Sequence, residues 1–295
     1  MTNQNVFAGA FVDRSGHRRE DPDWLSAAIG GPDSKFLPVW RDKCLTFGES
    51  PRISLLDRSD VAQHIVEEET IFLGLYEDQP AFALPMADSA VAPFDAEDSF
   101  HDLRYLGSVL PADESNLAAH AIALINWHRL HRFCTICGSS TRYESGGNTR
   151  ICENATCSNR VFPRVDPAII VLVSRRDQCL LGRQGSWPEG RFSTIAGFVE
   201  PGESLEDAVR REVQEETDIR VGSVHYHSSQ PWPFPSSLML GFTASAESDD
   251  IHLNDGELED ARWFSRKELR SGFPKLPYRL SIARRLVDNW LIKGT

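Results

Sequence analysis

Gly197-Phe198-Val199-Glu200-Pro201-Gly202-Glu203, then seven residues, then Arg211-Glu212-Val213-Gln214-Glu215-Glu216-Thr217-Asp218-Ile219 is the stretch on which the fold turns. Positions i, i+3 and i+4 share a helix face, so Glu212, Glu215 and Glu216 converge on one stripe. Three neighbouring carboxylates repel one another, and an ordinary solvated face would interleave lysines. A divalent cation makes the arrangement favourable, and hard oxygen ligands suit magnesium or manganese. Gly197 and Gly202 let the backbone turn tightly before the helix. An acidic surface helix is the plain alternative for the three glutamates alone. It does not account for Gly197, Glu203 and Arg211 at their spacings.

Working outward, Ala168-Ile169-Ile170-Val171-Leu172-Val173 reads as a buried strand entered through Asp166-Pro167, with Gln178–Gly182 as its partner. Ser204 to Thr217 reads as a charged helix. Strand-like runs follow at Ser223–Ser229, Leu238–Ala246 and Ala261–Phe264. Tyr278 to Ile292 places Leu280, Ala283, Leu286, Val287 and Trp290 on one side of a closing helix. Strands and helices so ordered predict a mixed sheet with helical cover.

The stretch resembles the Nudix box, Gly-x5-Glu-x7-Arg-Glu-U-x-Glu-Glu-x-Gly-U with U a bulky aliphatic. Asp218 departs from the pattern, standing where the family has a helix-ending glycine. Asp tolerates the left-handed conformation better than most residues, so a small stability cost is expected. The resemblance implies that Glu212 and Glu216 are the principal cation ligands, with the Ala196 carbonyl and Glu257 completing the site. It implies that Glu215 is a further ligand or helps to activate the water, and that Arg211 orients the glutamates while Glu203 supports the loop.

Upstream, Cys134-Thr135-Ile136-Cys137, fourteen residues, and Cys152-Glu153-Asn154-Ala155-Thr156-Cys157 form two cysteine knuckles at ribbon spacing. Facing knuckles supply four thiolates to one tetrahedral zinc, a closed and therefore structural site. The other two cysteines, Cys44 and Cys179, stand in apolar surroundings and read as inert buried thiols. His128 and His131, three apart, read as polar helix residues rather than ligands.

Downstream lies Ser229-Gln230-Pro231-Trp232-Pro233-Phe234-Pro235-Ser236-Ser237-Leu238-Met239. Its three alternating prolines predict an extended, stiff segment that fixes Trp232 and Phe234 for a flat ring. The plain alternative is a rigid loop packing its own aromatics. With the box, this stretch resembles the signature of the NADH pyrophosphatases among Nudix hydrolases. That resemblance runs over roughly residues 125 to 295. It implies a nucleotide site lined by Gln230, Pro231, Trp232, Pro233, Phe234, Pro235, Ser236, Ser237 and Ala283, with Phe162 stacking on a base. It also implies cleavage of NADH to reduced nicotinamide mononucleotide and AMP, a homodimer, and members that remove NAD caps from RNA.

The expected organisation is mixed α+β. A small β-rich domain covers 1–112, a connecting helix 113–132, a zinc ribbon 133–163, and a Nudix α/β/α sandwich with a mixed sheet 164–295. In the first domain Thr70–Tyr76 and Ala81–Pro85 read as strands joined by a turn over Glu77–Pro80, and Asp113 or Ser115 is expected to cap the connecting helix. The composition, 41% hydrophobic and 25% charged, is that of a globular chain. No apolar run is long enough for a membrane span, and the first thirty residues lack an apolar signal region, so a cytoplasmic protein is expected. A net charge of −12, from 31 basic and 43 acidic residues, weighs against broad duplex binding, whose affinity needs a basic face. Three readings follow: a dinucleotide pyrophosphatase, an enzyme removing NAD caps from RNA 5′ ends by the same chemistry, and a non-catalytic nucleotide sensor. Retention of Arg211, Glu212, Glu215 and Glu216 speaks against the sensor.

Overall fold

A computed structural model describes residues 4–96, 99–254 and 256–293, without the side chain of residue 95. It divides into two compact units. The first is Phe7–Val165 with Pro233–Ser236, and the second is Asp166–Trp232 and Ser237 onward with the described residues up to Val6.

In the second unit the long strand Asp166–Arg175 is the centre of a six-stranded mixed sheet. It runs parallel to Ser237–Ala246, which pairs antiparallel with Val221–Trp232 at the sheet edge. Its other side is shared: Ile195–Phe198 pairs with Ala168–Val171, and Gln178–Arg183 takes over at Ser174 and Arg175. Asp260–Ser265 closes that edge. The near-continuous apolar run of the central strand is explained by helices on both faces. Ile169, Val171 and Val173 pack with Ala208, Val209 and Val213 of the helix Leu205–Thr217. Ile170 and Leu172 pack with Ala283, Leu286, Val287 and Trp290 of the helix Ile282–Lys293. This is the expected α/β/α sandwich. Cys179 is buried in the second layer, its thiol pushed up to about 12 by burial. Cys44 is likewise buried and pushed up to about 12.

The first unit holds a seven-stranded sheet in which Lys35–Trp40 runs parallel to Gln79–Pro85. Phe36, Phe72 and Phe82 form its aromatic core. The expected turn over Glu77–Pro80 is tighter than its sequence suggests. Only Glu77 and Asp78 turn, both with positive φ as a two-residue hairpin of this twist requires. Pro80 pairs with Leu75 just before the parallel partner begins at Ala81, where a missing N–H costs little.

The helix Ala112–Leu130 begins after Pro111 without a side-chain cap, contrary to expectation. Other partners have claimed both candidates, one across the fold and one within the helix. Asp113 accepts from the Tyr76 hydroxyl at 2.6 Å, and Ser115 donates to the Ala112 carbonyl at 3.0 Å. Glu114 is buried as well, accepting from the Ile53 amide at 2.8 Å and paired with Arg52. The helix is buried on most of its faces, beyond the stripe of Leu117, Ala121, Leu124, Ile125 and His128 that its sequence shows. It packs on the strands Ile71–Tyr76, Lys35–Trp40 and Gln79–Pro85 as a core element.

The cysteine region is a three-stranded antiparallel sheet of Thr141–Glu144, Thr149–Cys152 and Arg160–Val161. Its first hairpin turns through Ser145, Gly146 and Gly147, all with positive φ. The Phe72 amide donates to Gly146 at 2.8 Å, and Asn148 donates to the Phe72 carbonyl at 2.9 Å. His128 is buried, donates from Nε2 to the Gly147 carbonyl at 2.7 Å, and stacks on Tyr143 at 3.6 Å. The hairpin turn is thereby bonded to the first unit's sheet and helix.

Candidate active site

Ser204 caps the carboxylate helix by accepting from the Asp207 amide at 3.2 Å. At the other end Asp218 adopts φ 59°, ψ 15° and its amide donates to the Gln214 carbonyl at 2.9 Å. The aspartate therefore ends the helix in the left-handed conformation that a glycine takes more easily. Its carboxylate accepts from Gln214, which offsets part of the backbone cost.

Of the three stripe glutamates, Glu212 and Glu216 are buried and Glu215 is exposed. Arg211 ties them to the loop. Its Nε and one terminal nitrogen grip both oxygens of Glu203, at 2.6 and 2.9 Å. The other terminal nitrogen donates to Glu212 at 2.8 Å and Glu215 at 3.0 Å, and the Phe198 carbonyl accepts at 2.9 Å. All five donors of the guanidinium are thus engaged. The bidentate partner is Glu203 rather than a stripe glutamate. This fork, with a backbone bond from Glu200, holds Glu203 down to about 2. Burial pushes the Glu212 carboxyl above its ordinary value against the pull of Arg211, and Glu215 and Glu257 add to the rise.

Gly197 makes that burial feasible. A Cβ there would lie well under 3.0 Å from the carboxyl of Glu212. The Gly197 φ is not positive, so the absence of a side chain serves space and not backbone conformation. The exposed Ala196 precedes it on the strand Ile195–Phe198, and Glu257 is exposed within electrostatic range of Glu212. Two buried carboxylates one helical turn apart, with a raised carboxyl and an open strand edge beside them, fit a hard divalent cation. Among the described residues, the four thiols are the ligand group gathered within 4.8 Å.

Those thiols, Cys134, Cys137, Cys152 and Cys157, fit a tetrahedral ion. Cys134 and Cys157 lie 3.8 Å apart and Cys137 and Cys152 3.4 Å, against about 3.8 Å for sulfurs ligating one zinc at about 2.3 Å. The Ile136 amide and Asn159 point at Cys134 sulfur, at 3.4 and 3.7 Å, as donors that steady a thiolate.

The aromatic segment is not extended throughout. The edge strand continues through Gln230, Pro231 and Trp232, opposite Met239, Leu238 and Ser237, and residues 233–236 make the turn. Proline is accepted there because an edge strand has an unpaired side. Gln230 is fully buried: it donates to the Leu280 carbonyl and accepts from the Ile282 amide, both at 2.8 Å. Ala283 is buried in the helix that Gln230 thus positions. Phe234 belongs to the first unit, 6.2 Å from Phe7 and with the Arg104 guanidinium 4.0 Å above its ring. Phe162, also in the first unit, is exposed. The Gln230 staple carries no spacing signal of its own in the sequence.

A model of the NUDIX domain matches residues 163–288, and a model of the NADH pyrophosphatase-like rudimentary NUDIX domain matches residues 33–127. The chain belongs to the NADH pyrophosphatase family of Nudix hydrolases. Among curated relatives, the NAD-capped RNA hydrolase NudC of Deinococcus radiodurans is 41% identical over 88% of this chain and 88% of its own. That of Mycobacterium bovis is 37% identical over 95% and 92%, and NAD-capped RNA hydrolase NUDT12 of Macaca fascicularis 35% over 98% and 73%. The first domain of this Nudix hydrolase is therefore itself a rudimentary Nudix domain. The match takes in most of the helix that the sequence had suggested was a connector. No helix among the described residues is long and apolar enough to cross a membrane.

Proposed function

We propose that this Nudix hydrolase cleaves the diphosphate bridge of NADH, and of NAD+, to the nicotinamide mononucleotide and AMP. The observation that carries the reading is the Arg211 fan, which holds Glu203, Glu212 and Glu215 together beside the Gly197 opening. Glu212 and Glu216 would hold magnesium or manganese, with the Ala196 carbonyl and Glu257 as further ligands. Such a cation would supply charge neutralisation at the diphosphate and a lowered pKa for a water. Arg211 fixes the carboxylates in place, and exposed Glu215, held by Arg211 at 3.0 Å, would be a further ligand or help to activate the water. By the family resemblance, Gln230 to Ser237 and Ala283 would be nucleotide contacts, and Phe162 would stack on a base. The four cysteines would hold zinc as a structural ion, and the family resemblance supports a homodimer.

Removal of the NAD cap from RNA is a second substrate for the same chemistry, favoured by the names of the relatives. Mass-resolved product analysis with magnesium and, separately, NADH, NAD+, ADP-ribose and NAD-capped RNA tests both. AMP with reduced nicotinamide mononucleotide, formed fastest from NADH, supports the first reading. Preferential release of nicotinamide mononucleotide from capped RNA favours the second. Binding without cleavage of any of the four would refute both.

A further inference from the structure

We propose that the first unit carries a second anion site, built on Arg150, that binds a phosphate ester. A cavity of about 540 Å³ opens between the strand end at Pro85 and Met86, the helix face of Ile125 and His128, and Tyr143 and Arg150 of the ribbon sheet. Arg150 is only 6% exposed. Every acceptor it has is neutral: Thr141 Oγ1 and the Thr141 carbonyl, both at 2.6 Å, and His128 Nδ1 at 2.9 Å. His128 supplies no charge, because its Nε2 donates to Gly147 and its Nδ1 must then accept. Three of the five guanidinium donors are engaged by these partners, and the neutral Tyr143 side chain draws on the same group. The Tyr143 ring, 4.8 Å from the guanidinium carbon, softens the charge without cancelling it.

A buried cation without a counter-charge is costly, and native proteins nearly always pair one. The rest of the lining does not do so. Arg41 and Arg129 are neutralised by Asp88 and Asp42, at 2.8 and 2.9 Å. Exposed Arg132 also lines the cavity and has no side-chain ion pair among the described residues. Glu69 lines it too, but reaches neither Arg150 nor Arg132 at ion-pair distance. Two guanidinium groups facing one exposed carboxylate, whose charge reaches Arg150 only from beyond ion-pair distance, favour an incoming anion, and the planar fork suits phosphate oxygens. The apolar floor of Pro85, Met86 and Ile125 and the stacked rings of His128 and Tyr143 suit the organic part of an ester.

The phosphate could come from a free mononucleotide or from an RNA phosphodiester. Calorimetric titration without added magnesium separates them, using AMP and, in parallel, a short 5′-hydroxyl oligoribonucleotide. The protein carries Glu216→Gln, so turnover plays no part and failure of the hydrolase reading leaves the result interpretable. Binding should weaken on the order of tenfold when exposed Arg132→Ala is added, and should strengthen when Glu69→Gln removes the competing carboxylate. Tighter binding of AMP assigns a free nucleotide, and tighter binding of the oligomer assigns the RNA backbone. Arg150→Lys, checked for retained folding by circular dichroism, should weaken whichever ligand binds. Absence of binding, or affinities unmoved by both Arg132→Ala and Glu69→Gln, would overturn the proposal.

Discussion

Replacing Gly197 by alanine adds one methyl group, and the structure says where it lands. The new Cβ would fall well under 3.0 Å from the Glu212 carboxyl. Ordinary contact needs about 3.5–4.0 Å, so the carboxylate must retreat by about 1 Å or more. That retreat stretches the 2.8 Å bond from Arg211 and moves a proposed metal ligand. Misplacement of about 1 Å at a reacting centre costs on the order of 10²-fold in rate. Stability should change little, because glycine-to-alanine gains about 0.4–1 kcal/mol through the unfolded chain and offsets the loosened pair. The assay is AMP formation from NADH at saturating magnesium, with a thermal melt on the same sample. A kcat reduced on the order of 10²-fold with the melting temperature within a few degrees is the expected result. In a Glu212→Ala background the methyl group meets no carboxylate, so adding Gly197→Ala should cost nothing further. Wild-type turnover in the single variant, or losses that multiply in the double, would refute the steric argument.

Glu216→Gln should lower turnover by on the order of 10²–10³ at saturating magnesium, as loss of a key electrostatic group does, and near-normal kcat would remove Glu216 from the metal site. Cys134→Ser should lose stoichiometric zinc and melt at lower temperature, read by metal analysis and calorimetry on one preparation. Gln230→Ala strands the Leu280 carbonyl and Ile282 amide in the interior, at about 1–3 kcal/mol; a lower melting temperature with a raised KM for NADH is expected. Burial holds His128 down to about 3, with the Arg150 charge adding to the effect against the Gly147 bond. The unfolded chain therefore takes up a proton below about 6.5 that the folded one refuses. Stability should fall as pH drops from 6.5 towards 3, by up to about 1.4 kcal/mol per unit. Urea melts at pH 5 and 7 should show a smaller difference for His128→Gln than for the wild type.

The carboxylate helix was legible because its chemistry is written at fixed spacing. Arg211, Glu212, Glu215 and Glu216 lie within six residues, and local geometry alone brings them together. The central strand was legible because burial on both faces leaves an unbroken apolar run. What failed depended on distant partners. Asp113 looked like a helix cap until Tyr76, far along the chain, supplied a hydroxyl. The prolines around Trp232 suggested an extended segment, since nothing local reveals that Leu238 and Met239 return to pair with it. The inward bonds of the Gln230 amide to Leu280 and Ile282 are likewise visible only in the tertiary fold.

Because Gly146, Gly147 and Asn148 are bonded to Phe72 and His128, the cysteine sheet is no detachable bead. Its hairpin turn continues the hydrogen bonding of the first unit, so disorder in one would expose the backbone of the other. Supply of the ion that the four thiols fit would then govern how long the whole first unit survives proteolysis. Metal scarcity would register first as a shorter half-life of the protein, before any change in the chemistry of the enzyme that remains.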